Sequence, residues 1–496
     1  MEIRPNLDPQ SGVPIYRQLG DYLQRLIETG DLRSGDRLPP TRELAGQLGL
    51  NRTTISAAYE LLEAVGLIKG EVGRGSYVCG GPEQRTETLN WSRALTSSVS
   101  APIVNHAGSA ASGVINFTSS RPSEKLFPIE EFRECCREVL ESRNLKTLMQ
   151  LGSPGGYEPL RRYLLDRAIQ SGIARDSDDI LITNGCQQAF DLLRRALVRR
   201  GEKVALEEPV YPGLKNLFLE AGAELIGIPA GASGKDKDEG IDLYSVQRAF
   251  EAGAKVLVVT PSFQNPTGAT MPARHRAEVC RMARSAGVAI IENDIYSELA
   301  CDSDHSLPRL KQLDQNVILL GSFSKIAFPG IRVGWIIAPR AVIARATELK
   351  QLADLHTDHL SQAFLLRFAE SGKLARHQAI VIAAAREKLR ALDQSCRRYL
   401  ANCSWTVPGG GMNMWITLPA GLDAVALRGL AQQAGIDYLP GRYFSVSRPL
   451  DSGLRLSFAG LDPNEIRKGI EILGALVQSA ASAREARDAH PALALV

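Results

Sequence analysis

The chain has 496 residues, 44% of them hydrophobic and 23% charged, with 58 Lys+Arg against 55 Asp+Glu. This is ordinary usage for a folded chain of roughly three domains at about 100–200 residues each, and it excludes wholesale disorder. No run of about 18 apolar residues occurs, and the opening MEIRPNLDPQ lacks an apolar signal core, so neither a membrane span nor a secretory leader is expected and the default compartment is the cytoplasm.

Residues 1–80 read as small helices followed by a hairpin. Ile15, Leu19, Tyr22, Leu23, Leu26 and Ile27 recur at helical spacing and predict an amphipathic helix over 14–29. Thr41 is expected to cap a short helix, ELAGQLG, with Leu44, Ala45 and Leu48 inward. Gly49 breaks it, and Asn51 caps RTTISAAYELLEAVG, whose Ile55, Ala58, Tyr59 and Leu62 face a core. LIKGEVGRGSYV then predicts two strands around a Gly-rich turn, which completes a winged helix. These 80 residues carry nine basic and ten acidic side chains, but none is acidic between Leu44 and Tyr59. Asn51, Arg52, Thr53, Thr54 and Ser56 therefore open a helix whose polar, unopposed N-terminal face suits a phosphate backbone and a major groove. Gly73 and Gly75 serve as hairpin turn residues, and in a DNA reading they also let the wing approach a minor groove that Arg74 enters.

Residues 81–115 are polar, Ser/Thr-rich and aperiodic, as expected of a linker. From about 116 to 480 the pattern alternates apolar runs with helical stretches, and the tail 481–496 is Ala-rich. The strand candidates are DILITNG (179–185), KVALEEP (203–209), KVLVVTPS (255–262), VAIIEND (288–294), VILLGS (317–322) and RVGWIIAP (332–339). Their Val/Ile/Leu runs are continuous rather than alternating, which implies an α/β domain with a mostly parallel, doubly wound sheet. Residues 380–478 have a different texture and predict a smaller α+β lobe. The eight cysteines are scattered without a C-x-x-C pair and read as reduced structural thiols, and no metal site is expected.

In a parallel sheet the loops after the strands share one edge, where ligands bind. Here those loops carry Gly185-Cys186-Gln187, Tyr211, Asn265, Asp294, Tyr296, Ser322, Ser324 and Lys325, with Arg332 seven residues on. The inventory matches the needs of pyridoxal 5'-phosphate. Lys325 supplies the amine for a Schiff base with the aldehyde. Asp294 is the carboxylate expected to keep the ring nitrogen protonated. Asn265 and Tyr296 face the 3'-oxygen, and Tyr211 covers the ring. The Gly185–Gln187 amides, Ser322, Ser324 and Arg332 take the phosphate.

TPSFQNPTG, ENDIY and SFSKIAFPGIRVGW, in that order, resemble the fold-type I aspartate-aminotransferase-like enzymes across roughly 116–478. That resemblance implies that Lys325 carries the internal aldimine and shuttles protons, with Asp294 and Tyr296 beside it. It also implies that Arg455 in GLRLSF grips a ligand carboxylate, with Arg442 in PGRYF as a competitor for the role. PIYRQL, SGDRLPPTRELA, NRTTISAAYELLEAVGL and GRGSYV resemble GntR-type winged helices, and so imply Arg42, Arg52, Thr53 and Thr54 as contacts to double-stranded DNA. Fused in this order, the regions are similar to the MocR subfamily of GntR regulators. The resemblance implies a head-to-tail homodimer that binds DNA and senses pyridoxal phosphate, an amine or an amino acid by aldimine exchange at Lys325. A working aminotransferase with an accessory head is the competing function. A cofactor-free scaffold is a third, and the intact cofactor positions argue against it.

Overall fold

The structure is a computed structural model that describes residues 3, 5, 7–9, 11–71, 75–79, 113–231, 240–302 and 307–489. It divides into two compact units, Met1–Ser97 and Ser98–Val496. Among the described residues no helix is long and apolar enough to cross a membrane.

The first unit holds α1 (Ile15–Glu28), α2 (Thr41–Leu48) and α3 (Arg52–Ala64), then β1 (Ile68–Glu71) antiparallel to β2 (Gly75–Val78). Its core is the predicted apolar stripe: Leu19 and Leu23 of α1, Leu44 of α2, and Ile55, Ala58 and Leu62 of α3. Asn51 caps α3 as expected, its side chain accepting from the Thr53 amide at 3.1 Å. Thr41 does not cap α2. The helix starts at Thr41 itself, because Pro40 holds the preceding backbone extended and abuts the first turn. Gly75 takes a φ of +107°, and a Cβ there would meet the Arg37 guanidinium at 3.0 Å, so this wing position requires glycine. Gly73 and Arg74 lie outside the described residues, as do residue 80, 81–112 of the expected linker and 490–496 of the tail.

The second unit opens with β3 (Ile115–Asn116) and then builds a seven-stranded sheet from β4 (Asp178–Thr183), β5 (Lys203–Glu208), β6 (Glu224–Pro229), β7 (Ala254–Val259), β8 (Ala289–Asn293), β9 (Ile318–Ser322) and β10 (Gly334–Pro339). The order is β4-β10-β9-β8-β7-β5-β6, parallel throughout except for β10, which runs antiparallel to both of its neighbours. Leu181, Leu206, Val258, Ile291 and Leu320 pack under one helical layer. Ala205, Leu257, Val259 and Ile290 pack under the other. Burial on both faces is what the continuous apolar runs require.

The smaller lobe is a four-stranded sheet, β11 (Ser404–Trp405), β12 (Asn413–Thr417), β15 (Gly453–Ser457) and β14 (Leu439–Pro440) in that order, with β13 (Ile436–Asp437) pairing with β3 instead. Its flanking helix begins at Lys373 rather than near 380. β3 falls on the last residue of the expected linker, because Ile115 and Phe117 complete this lobe's apolar core. The chain just after β3 therefore runs between the two lobes, where the loops of the large sheet end.

One buried ion pair clips the start of β4 to the short helix Leu310–Leu313. Lys311 Nζ lies 2.8 Å from Asp178 Oδ1, with both side chains inaccessible. Burial pulls the Lys311 ammonium down, and Asp178 opposes this. Asp178→Ala leaves that ammonium buried and unpaired, so we expect a loss of about 3–5 kcal/mol. The double change Asp178→Leu, Lys311→Met should recover most of it. Urea unfolding followed by circular dichroism measures both, and a double variant as weak as the single one would contradict the pairing argument.

Candidate functional site

The parallel strands β4, β5, β7, β8 and β9 all end at one edge, and the antiparallel β10 begins there, its Gly334 opposite both Ser322 and Thr183. This edge encloses a cavity of ≈ 320 Å³. Lys325, Tyr211, Asn265, Tyr296, Cys186, Gln187, Ser322, Ser324, Arg332 and Arg455 all line it. The order of motifs in the sequence is therefore convergence in space, and β10 explains how Arg332 joins from the opposite strand direction.

One end of the cavity is a cradle of backbone. Gly185 starts the helix Gly185–Leu197 at a φ of +74°, and a Cβ there would sit 2.5 Å from Arg332 Nη2. Only glycine lets the guanidinium come this close to the free amides of a helix start, and together they form an anion site. Arg332 is itself left-handed (φ 60°), and its Nη2 donates to the Asn184 carbonyl at 3.3 Å. The Ser322 hydroxyl accepts from the Ser324 amide at 3.0 Å, which turns the strand end toward the cradle. Burial pushes the Cys186 thiol up to about 12 although Lys325 and Arg332 pull it down, so this cysteine stays a neutral lining group at pH 7.

The other end is polar and cationic. Lys325 Nζ donates to the Ser120 carbonyl at 2.6 Å and stands 5.6 Å from the centre of the Tyr296 ring. Asn265 joins two partners: its Nδ2 donates to Tyr296 Oη at 3.3 Å, and its Oδ1 accepts from Arg455 Nη1 at 3.0 Å. Arg455 sits on β15 with 1% of its surface exposed. Its Nη2 donates to the Thr118 carbonyl, and its Nε has no partner. No ion pair forms on it among the described residues, and burial pulls its guanidinium down to about 10. Arg442 is excluded as its competitor, being half-exposed and paired with Asp451 and Asp423. Burial raises the Tyr211 phenol, with Tyr296 adding to the rise, so it too is neutral.

Asp294 requires a correction. Successive strand residues point to opposite faces. Ile291 faces the layer that carries the cavity, and so does Asn293, which lines it. Glu292 and Asp294 face the other way. Glu292 accepts from the Leu310 and Lys311 amides on that side. Asp294 Oδ2 accepts from Arg309 Nε at 2.7 Å, and Arg309 is held in turn by Ser297 Oγ at 2.9 Å. The residue that faces the cavity in place of the expected carboxylate is Asn293, whose Nδ2 donates to Thr260 Oγ1 at 3.1 Å while its Oδ1 has no partner. The alternation within VAIIEND carried this signal. Ser119, Ser120 and Arg121 also line the cavity. No periodic pattern marks them in the sequence.

The cavity fits the cofactor that the sequence suggested. It offers an amine, an anion cradle that only glycine can build, and three orphaned buried polar atoms, Ser120 Oγ, Asn293 Oδ1 and Arg455 Nε. Its lining holds four cations, Arg121, Lys325, Arg332 and Arg455, and no carboxylate. In the first unit Arg42 of α2 and Arg52 and Thr53 of α3 are exposed and Thr54 and Ser56 half-buried, and Arg52 Nε donates to Thr41 Oγ1 at 3.4 Å, which sets the start of α2 beside the start of α3.

Residues 112–473 match the aminotransferase class I and II family, and residues 15–78 match the bacterial regulatory proteins of the gntR family. An uncharacterized HTH-type transcriptional regulator of Bacillus subtilis, YdfD, is 31% identical over 95% of this chain and 98% of its own. The probable rhizopine catabolism regulatory protein MocR of Rhizobium meliloti is 29% identical, over 94% of each chain. Among solved structures, LysN, the alpha-aminoadipate aminotransferase of Thermus thermophilus complexed with N-(5'-phosphopyridoxyl)-L-leucine, superposes with a TM-score of 0.72 at 31% identity, covering 79% of this chain and all of that one. The chain belongs to the MocR subfamily of gntR regulators, a winged helix fused to a class I and II aminotransferase fold whose cofactor is pyridoxal phosphate.

Proposed function

We propose that this regulator reads a small amine that also carries a carboxylate, an amino acid by class, through pyridoxal phosphate held at the sheet edge, and passes the result to DNA as a homodimer in the cytoplasm. The observation that carries the reading is the sharing of one cavity by Lys325 and Arg455, a buried guanidinium hydrogen-bonded only to neutral groups and with no acid paired to it among the described residues. A buried guanidinium without an acid is costly to keep, and a planar carboxylate is the ligand that relieves the cost.

When bound, pyridoxal phosphate supplies an aldehyde that condenses reversibly with primary amines. The chain's own residues hold and orient it. The Gly185, Cys186 and Gln187 amides with Ser322, Ser324 and Arg332 receive the phosphate. Tyr211 flanks the ring, and Tyr296 with Asn265 addresses the 3'-oxygen. Lys325 presents its amine to the same cavity, held by its hydrogen bond to the Ser120 carbonyl, and Arg455 orients the incoming carboxylate. Sensing requires that ligand and DNA favour the same arrangement of the protein, which makes the coupling reciprocal. In the head, Arg42, Asn51, Arg52, Thr53, Thr54, Ser56, Gly73, Arg74 and Gly75 form the DNA-facing set, with the first turn of α3 on the groove. A second reading, turnover as an aminotransferase, draws support from the completeness of Lys325, Tyr296, Asn265 and Arg455 in the cavity.

Borohydride treatment of the holoprotein followed by peptide mass spectrometry is expected to fix a pyridoxyl group on Lys325. Lys325→Ala should carry none and lose the absorbance of the bound cofactor. Adduct on another lysine overturns the assignment. Arg455→Met should keep that absorbance while the spectral response to amino acids weakens tenfold or more. A response of undiminished affinity would show that the carboxylate goes elsewhere.

For the head, Arg52→Ala should weaken binding to the gene's own upstream DNA about tenfold and lower the slope of log K against log salt by roughly one. Fluorescence anisotropy at several salt concentrations reads both, and unchanged affinity and slope would remove Arg52 from the interface.

A further inference from the structure

We propose that the chain meets the ring nitrogen of its cofactor with the neutral amide of Asn293 rather than with a carboxylate, so that the ring stays uncharged and the site is poised to bind and exchange amines rather than to turn them over. The inference rests on the cofactor reading above and deepens it.

The aldehyde and the phosphate arm leave the ring at adjacent carbons, so the cradle and the Lys325 amine together fix one side of the bound group. The ring nitrogen lies across the ring from the aldehyde, so it needs a partner away from Lys325. Asn293 and Thr260 are the polar groups contributed there by the ends of β8 and β7, and both line the cavity. Asn293 has one amide atom without a partner. The Thr260 hydroxyl can accept or donate, so the amide can turn end for end and offer either Nδ2 or Oδ1 to the ring.

Neither orientation supplies a countercharge. With the Lys325 amine joined to the aldehyde and Arg332 matched to the phosphate, a protonated ring nitrogen would still share the cavity with the Arg121 and Arg455 guanidiniums and find no carboxylate in its lining. Like charges disfavour that form. The nearest acid in sequence, Asp294, is committed to Arg309 on the opposite face of the strand, where its charge is already neutralised. An uncharged ring is a weaker electron acceptor than a protonated one, and electron withdrawal is what an aminotransferase asks of this cofactor. Condensation with an amine does not depend on it to the same degree. The substitution therefore separates recognition from turnover within one intact-looking site.

The test uses the full-length protein loaded with pyridoxal phosphate labelled with nitrogen-15 in the ring, with the free cofactor in its acidic and alkaline forms as standards for the nitrogen resonance. The wild-type resonance is expected at the unprotonated position. Asn293→Asp, which keeps the shape and restores a carboxylate, should move it toward the protonated position and raise stoichiometric conversion of amino-acid donors at least tenfold. Asp294→Asn should leave the resonance where it is. A protonated wild-type ring, or a resonance that shifts in Asp294→Asn, overturns this inference while a borohydride-fixed adduct on Lys325 leaves the cofactor reading standing. No adduct on Lys325 overturns both. An unchanged conversion rate in Asn293→Asp overturns the electronic consequence.

Discussion

The pleat of β8 decides the character of the site. A strand offers each face every second residue and no more. In Glu292-Asn293-Asp294 two acids flank one amide, so a strand that turns the amide to the cavity must turn both acids away. The choice of face is not local. Ile290 belongs to the apolar layer on one side and Ile291 to the layer on the other. A one-residue slip would exchange these layers and expose two charges to a hydrophobic core. Glu292 shows how deeply the acidic side is set: burial first, and then Asp294, push its carboxyl up to about 7, while the Leu310 and Lys311 amides hold it in place. The core thus enforces a cavity wall without charge.

The consequence is a one-signed cavity. Lys325 follows β9, Arg332 precedes β10, Arg455 stands in the middle of β15, and Arg121 comes from the segment after β3. In water such a cluster would be screened. Within a partly closed cavity the mutual repulsion persists and is relieved by anions. On the proposed reading, a phosphate and a carboxylate on one ligand assembly would answer two of these positions, the cradle and Arg455. This also explains the network about Asn265, which links Arg455 to the Tyr296 phenol and keeps both oriented without introducing another charge.

Much of this was legible from sequence, and the failures have specific causes. The strands announced themselves because burial on both faces demands continuous Val/Ile/Leu runs. The lining residues after them followed from the shared edge of a parallel sheet. Lys325, Arg332, Tyr211, Asn265 and Tyr296 all reach the cavity for that reason. Asp294 departs from this rule because residue type does not reveal strand parity: its neighbour Asn293 holds the cavity face, and Asp294 pairs with Arg309 on the other. Arg455 and Arg442 could not be separated in sequence, since the difference lies in Asp423 and Asp451 occupying the second guanidinium. Ser119, Ser120 and Arg121 carry no periodic signal, because they owe their place to β3 pairing with β13 across 320 residues of chain. The Thr41 cap failed on a local conflict, in which Pro40 fixed the helix start one residue early.

A receptor differs from an enzyme in what it must not do. A sensor that consumes its ligand reports a flux, whereas one that holds it reports a concentration. The coupling free energy available to DNA binding is the differential affinity of the ligand for the two states of the protein, and chemistry at the ligand would erode it during the measurement. An aminotransferase fold is well suited to the task if one electronic element is weakened while the amine, the cradle and the carboxylate grip are retained. Exchanging a carboxylate for an amide of the same shape does this at little cost in packing, because the volume is conserved while the charge is lost and one acceptor oxygen becomes a donor. On this argument the neutral wall at Asn293 and the winged helix belong to one design, in which the chemistry of the fold is held at the stage of recognition.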